Sequence, residues 1–359
     1  MIHVTKAFLP KQKEYHNILK SAWDKHWITN RGALVLELED KIKTTYKISN
    51  IIATTNGTLP LQIAIKALGL SGKIITTPFS YIATASTIAW ENCKPVFVDI
   101  DSESFNIDVS KIEEKITNKT SAILATHVFG NPCEVDKIEV IAKKHNLKVI
   151  YDAAHCFGVN YKGKSIFNFG DVSTCSFHAT KIFHTGEGGA MMTTDKDLYD
   201  KLYYHHNFGH NGPEDFHGIG INAKMSELQA AMGLAVFPYM DSIFSKRKLL
   251  YESYLSNLKS NSLLKFQEIT ENTDYNCAYF PVVFESEELV LKVIEVLNKD
   301  RIFPRRYFYP SLNTVGYLKG EQMPIAESIS KRILCLPLFF DLTVSEVNRI
   351  SSIILKTIS

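Results

Sequence analysis

Between residues 51 and 194 short apolar runs rich in β-branched residues alternate with stretches whose apolar positions recur every three or four residues. The candidate strands are IIATT, KIITTP, PVFVDI, SAILATHVF, LKVIYDAA, VSTCSFH and GAMMTT, and LPLQIAIKAL and EVDKIEVIAKKH read as amphipathic crossover helices. A strand followed by a packed helix returns to the same sheet by a crossover, so this alternation specifies an α/β domain with a mainly parallel sheet flanked by helices. After NAKMSELQAAMGLAVFPYM the pattern changes to a long polar helical stretch, a strand-like AYFPVVF and the helix SEELVLKVIEVLNKD. At 359 residues the chain also exceeds the roughly 250–300 at which single cores stop growing. The expected organisation is a large domain over residues 1–238, with an N-terminal arm over about residues 1–30, and a smaller α+β domain over residues 239–359.

The charge balance excludes several classes of partner. Forty basic residues against 38 acidic ones give a formal net charge of +2, so no overall field favours nucleic acid or a membrane surface. No basic head with an apolar run opens the chain and no segment approaches a spanning length, so a cytoplasmic location is expected. The six cysteines stand singly without a Cys-x-x-Cys pair, and HHNFGHNGPEDFH at 205–217 lacks helical His-x-x-x-His spacing, so no metal is expected.

Ligands of open α/β sheets lie outside the carboxyl ends of the strands, and the residues there form a set. In TTNGTLPLQ, Gly57 permits close approach, and Thr58 with the amides of the first helical turn can hold a phosphate; ordinary turn and capping roles serve equally well. In YDAAHC, Asp152 can keep a pyridine nitrogen protonated or cap a helix, and His155 can donate to a phenolic oxygen. In SFHATKIFHTGEGGAMMTTD, Lys181 can form an imine with an aldehyde, Ser176 can bind phosphate, and Gly186, Gly188 and Gly189 give steric room. His184 and Glu187 support the same loop. Tyr81, after KIITTP, can stack on a flat ring or serve as a core aromatic.

These elements, in this order, resemble the DegT-type nucleotide-sugar aminotransferases of the aspartate-aminotransferase fold. The resemblance runs from the FLP and WITNRG segments through NGT, DAAHCFG, SFHATK, GEGGA and GINAKMSELQAAMGL to RRYFYP. It implies pyridoxal 5′-phosphate as cofactor, Lys181 as its covalent anchor and Asp152 as partner of the pyridine nitrogen. It further implies Tyr81 as the stacking ring, His155 at the phenolic oxygen, and Gly57, Thr58 and Ser176 at the phosphate. Asn222 matches the family position that reaches the neighbouring subunit's phosphate, which implies a homodimer with shared sites. Some relatives carry histidine at the lysine position and remove a hydroxyl from the sugar; this chain keeps Lys181.

The resemblance implies a ping-pong transfer from L-glutamate to a keto-sugar carried on dTDP. The FLP, WITN, THVFGNPC and RRYFYPSLN segments look most like enzymes that make dTDP-4-amino-4,6-dideoxy-D-glucose for surface polysaccharide such as O-antigen. Amination at C3 is the rival. Arg305, Arg306 and Tyr309, with Tyr307, are candidates to grip the donor carboxylate or the diphosphate, or are simply solvated surface groups. A nicotinamide dehydrogenase would need a Gly-x-Gly-x-x-Gly turn, for which NGTLPL is a poor candidate, and a non-catalytic regulator on this fold would not need both Lys181 and Asp152.

Overall fold

A computed structural model describes residues 1–359. Each of the seven apolar runs forms a strand: β1 Asn50–Thr54, β2 Lys73–Thr76, β3 Lys94–Phe97, β4 Thr120–Thr126, β5 Lys148–Asp152, β6 Val172–Ser176 and β7 Gly189–Thr193. They build one 7-stranded sheet in the order β1-β7-β6-β5-β4-β2-β3. Every neighbouring pair is parallel except those made by β7, which runs antiparallel to both β1 and β6.

Around this sheet lie α1 Gln12–Asp24, α2 Ala33–Thr45, α3 Leu59–Ala67, α4 Ile82–Trp90, α5 Val135–His145, α6 Lys196–His206 and α7 Glu227–Val236. Because strand side chains alternate in direction, one sheet serves two cores. Ile74, Leu124, Ile150 and Met191 pack with Leu61 and Ile65 of α3 and Leu198 and Leu202 of α6. Their neighbours Ile75, Ile123, Val149, Tyr151 and Met192 pack on the other face with Leu38 and Ile42 of α2, Ile138 of α5 and Leu234 of α7.

The rest of the chain forms α8 Met240–Leu258, α9 Glu287–Lys299, α10 Pro324–Arg332 and α11 Val344–Ile358 around a three-stranded antiparallel sheet of 264–266, 280–284 and 333–336. Phe280, Val282 and Phe284 of its central strand pack with Val293 and Leu297 of α9 and Ile350 and Ile354 of α11. Val283, Ile333 and Cys335 point the other way and join the core of the large sheet. The N-terminal segment ties into this part as well, since Ile2 and His3 pair in parallel with Ile302 and Phe303.

Two buried carboxylates hold α2 against its neighbours. Glu39 on α2 accepts from the Ala53 amide of β1 at 2.8 Å and pairs with Arg31 at 2.6 Å. The first turn of α2 has no side-chain cap of its own; Glu227 of α7 accepts from the Leu34 and Val35 amides at 2.8 and 3.1 Å. A carboxylate facing a helix N-terminus satisfies otherwise orphaned donors and complements the helix dipole. Glu227 is 1% exposed, so water cannot replace it. We expect Glu227→Ala to lower unfolding free energy by about 2–4 kcal/mol, because two buried amides lose their acceptor. Urea unfolding should show an earlier midpoint at an unchanged slope, and Glu227→Gln, which keeps one acceptor oxygen, should lose less.

Candidate active site

The carboxyl ends of β4, β5 and β6, the start of α3 and the turn before α4 close around a cavity of about 420 Å³. Gly57, Thr58, Tyr81, Asp152, His155, Ser176, Lys181 and Arg305 all line it. Asn222, Arg306 and Tyr309 do not. Asn222 is exposed beyond the cavity, where its backbone bridges to Asn207. Arg306 is fastened to Glu287 at 2.6 Å and to the Lys331 carbonyl at 2.8 Å, and its guanidinium covers the Tyr309 ring at 3.6 Å. The substrate-gripping role expected of the Arg306–Tyr309 pair therefore has no footing on the cavity wall of this chain, whereas Arg305, with its guanidinium 4.8 Å from the Tyr307 ring centroid, does.

Lys181 sits in the loop between β6 and β7. Backbone bonds from Phe177 to Gly188 (2.8 Å), Thr185 to Phe177 (2.9 Å) and Lys181 to His178 (2.8 Å) fold this loop back on itself. His184 fixes it to the N-terminal arm through a 2.6 Å bond from Nε2 to the Phe8 carbonyl, and Gln229 of α7 donates to the Glu187 carbonyl at 2.8 Å. The Lys181 ammonium lies 5.9 Å from the Tyr279 ring centroid, and burial pushes its pKa down. Asp152 ends β5; burial pushes its carboxyl up, opposed by donation from Thr84 at 2.7 Å and from the Ala154 amide at 3.2 Å. The same low-dielectric pocket thus favours a neutral amine and penalises an isolated carboxylate.

Tyr81 immediately precedes α4 and is 57% exposed, so it is a cavity-mouth aromatic and not a core one. His155 is buried, with its ring parallel to Phe308 (6.0 Å, 1°) and its Nδ1 without a partner; burial pulls its pKa well down, leaving a neutral imidazole. At Gly57 a Cβ would stand 2.7 Å from the Ser176 Cβ, so the NGT turn lies against the end of β6. The amides of Thr58 and Leu59 are taken by Asn56 Oδ1, both at 2.9 Å. The helix-amide half of the expected phosphate cradle is therefore already occupied, leaving the Thr58 and Ser176 hydroxyls.

Several lining residues were not among the sequence candidates: Ser80, Thr126, Tyr279 and Phe308, with Thr84 just behind the wall. Ser80 and Thr126 do share the signal used for the others, a position at or shortly after a strand's carboxyl end, while Tyr279 and Phe308 come from the C-terminal part and carry no such mark. A larger groove of about 640 Å³ between 101–108, 132–137 and 268–272 carries more carboxylates than lysines on its rim and contains neither a buried lysine nor an unpartnered histidine.

The sequence pattern of the DegT/DnrJ/EryC1/StrS aminotransferase family fits residues 10–355. The chain belongs to this family. It is 36% identical over 365 residues to dTDP-4-amino-4,6-dideoxy-D-glucose transaminase of Escherichia coli, covering 99% of this chain and 98% of that protein. It is 39% identical over 348 residues to the Shigella dysenteriae transaminase of the same name, covering 95% of each. The crystal structure of DesI in the presence of its TDP-sugar product superposes with a TM-score of 0.93 at 29% identity, covering 99% of this chain and 93% of that one.

As a member of this aminotransferase family the chain is a pyridoxal-phosphate-dependent sugar aminotransferase. The residues present fit the cofactor: an amine whose pKa is lowered, a buried carboxylate with lone pairs to spare, an unpartnered imidazole nitrogen and two hydroxyls around a glycine that admits no side chain. Because a Cβ at Gly57 would press on Ser176, we expect Gly57→Ala to raise the dissociation constant for pyridoxal phosphate at least about tenfold, one misplaced charge-assisted hydrogen bond being worth roughly that factor. Fluorescence titration of the apo-protein measures it, and unchanged affinity would remove Gly57 and Ser176 from the phosphate site.

Proposed function

We propose that this enzyme transfers the amino group of L-glutamate to C4 of dTDP-4-keto-6-deoxy-D-glucose, giving dTDP-4-amino-4,6-dideoxy-D-glucose for surface polysaccharide such as O-antigen. The observation that carries the chemistry is the meeting of Lys181, Asp152 and His155 at the strand ends in one cavity. The two transaminases named for that product, 36% and 39% identical over nearly the whole chain, support the substrate.

When bound, the cofactor supplies an electron sink for negative charge at the amino donor's α-carbon. Lys181 Nζ, whose pKa burial lowers, takes the α-proton of the donor when unprotonated and in the second half-reaction delivers a proton to sugar C4. The Asp152 carboxylate keeps the proton on the pyridine nitrogen, and His155 holds the phenolic oxygen through its unpartnered Nδ1. Tyr81 covers the ring at the cavity mouth, Thr58 and Ser176 hold the phosphate beside Gly57, and Arg305 provides the cation for the anionic part of the substrates.

The site is read as half of a shared one. Asn222 lies outside its own chain's cavity, and exposed Trp23, Trp27, Ile28, Leu36 and Leu228 cluster on α1, α2, α7 and the turn joining α1 to α2, an apolar surface of the kind that a second copy covers. In this reading Asn222 enters the partner's phosphate site, and the dimer works in the cytoplasm, where its nucleotide-sugar substrate is found. Mixing inactive Lys181→Ala and Asn222→Asp proteins should restore about a quarter of wild-type turnover under random subunit exchange, since half the dimers are mixed and each of those keeps one intact site. No recovery would leave Asn222 without a role across the interface.

The central test is an absorbance spectrum of the protein with pyridoxal phosphate, before and after L-glutamate. We expect a visible band that glutamate bleaches, and none of the lysine-bound form in Lys181→Ala. Turnover of the 4-keto sugar should then exceed that of the 3-keto isomer at least about a hundredfold, the margin that correct orientation provides. Preference for the 3-keto sugar would overturn C4 as the site of amination, and absence of the band would overturn the catalytic role of Lys181.

A further inference from the structure

Along and just behind the cavity wall three hydroxyls run in a line to Asp152. Thr126 Oγ1 and Ser80 Oγ are 2.9 Å apart, Ser80 Oγ and Thr84 Oγ1 2.7 Å, and Thr84 Oγ1 lies 2.7 Å from Asp152 Oδ2. Thr126 ends β4, Asp152 ends β5, and Ser80 and Thr84 flank the start of α4, so three separate segments meet here. All four are nearly fully buried, at 3%, 2%, 0% and 6% exposure for Thr126, Ser80, Thr84 and Asp152.

The protons in such a line are not free to point either way. An ionised carboxylate only accepts, so Thr84 must donate to it; Thr84 then has only lone pairs for Ser80, which must donate, and Ser80 likewise receives from Thr126. Each donor is polarised by the next, and a bond to a charged acceptor in a low-dielectric site is the strongest member of the chain. If Asp152 were protonated, Thr84 could be left accepting, and the order imposed on Ser80 and Thr126 would dissolve.

We propose that Thr126, Ser80 and Thr84 form a one-way hydroxyl relay that keeps Asp152 ionised and aimed into the cavity, making them positioning residues for the cofactor's pyridine nitrogen. The need for it follows from what else faces the carboxylate. Lys181 is the one cation near it, and burial weakens that charge. Burial keeps the thiols of Cys156 and Cys175 and the ring of His155 neutral. Apart from the Ala154 amide on Oδ1, the relay is the only donor that Asp152 has. Its link to the pyridine nitrogen rests on the aminotransferase reading; its hold on Asp152 does not.

Thr84→Val keeps the shape and removes the hydroxyl. The folded pKa of Asp152 is already raised, so the stability linked to it is fully present below the unfolded carboxyl value and is lost as pH rises through the folded one. Without the relay that folded value climbs further and the loss grows at neutral pH only. We expect the apo-variant to melt below wild type at about pH 8, the deficit to shrink toward about pH 5, and no further deficit in an Asp152→Asn background. In the loaded enzyme kcat should fall roughly ten- to a hundredfold with KM little changed, with a matching shift in the pH titration of the cofactor band, and Thr84→Ser should restore both. Should Thr84→Val fail to fold, Thr126→Val and Ser80→Ala carry the same comparison.

A melting deficit equal at all pH values, or a kcat loss just as large in the Asp152→Asn background, would overturn the relay and leave Thr84 a packing residue. If the pH-dependent deficit appears while wild type shows no response to glutamate, the relay stands and L-glutamate fails as the proposed amino donor.

Discussion

A carboxylate at the end of a strand buried on both faces is the constraint on which the site depends. β5 is flanked by β4 and β6 in the middle of the sheet, and its last side chain, 6% exposed, meets solvent only through the cavity. Charge there is costly unless donors are supplied, and the fold supplies them from the start of α4 and the turn after β5, with the Lys181 charge acting through space. The same burial raises the Asp152 carboxyl and lowers the Lys181 amine, so one dielectric environment works against charge on both groups.

The surroundings of the lysine loop follow a similar logic of borrowed partners. Gln229 completes a capping box with Ser226 at the start of α7 and uses its amide nitrogen to bind the Thr55 and Glu187 carbonyls. Two residues earlier in the chain, Glu227 caps α2. The short KMSELQ segment thereby joins the first strand, the lysine loop and the N-terminal helices, and it adjoins Asn222. Segments that look unrelated along the chain are in this way parts of one rigid wall.

The cavity itself is mostly a product of the large sheet, but its far side comes from the C-terminal part. Tyr279, Arg305, Tyr307 and Phe308 close it, and Phe308 stacks in line with His155 and Phe129. Arg305 and Arg306 are adjacent in sequence and opposite in employment: one faces the cavity, the other is spent on Glu287, Lys331 and Tyr309. Side chains of neighbouring residues in an extended segment diverge, and only packing decides which of the two faces the ligand.

The sequence by itself determined the α/β alternation, all seven strands of the large sheet and the residues that terminate them, because the period of apolar positions is a local property that each segment carries alone. It also marked Lys181, Asp152, His155, Gly57 and Ser176, since each lies at or within a few residues of a strand's carboxyl end and strand ends converge. Only the tertiary structure decided the strand order with β7 reversed between β1 and β6, the capture of the Thr58 and Leu59 amides by Asn56, the loss of Arg306 to an ion pair, and the line of hydroxyls from Thr126 to Asp152. Those features depend on which strand lies beside which and on side chains drawn from segments far apart in the chain, distances that no local pattern encodes.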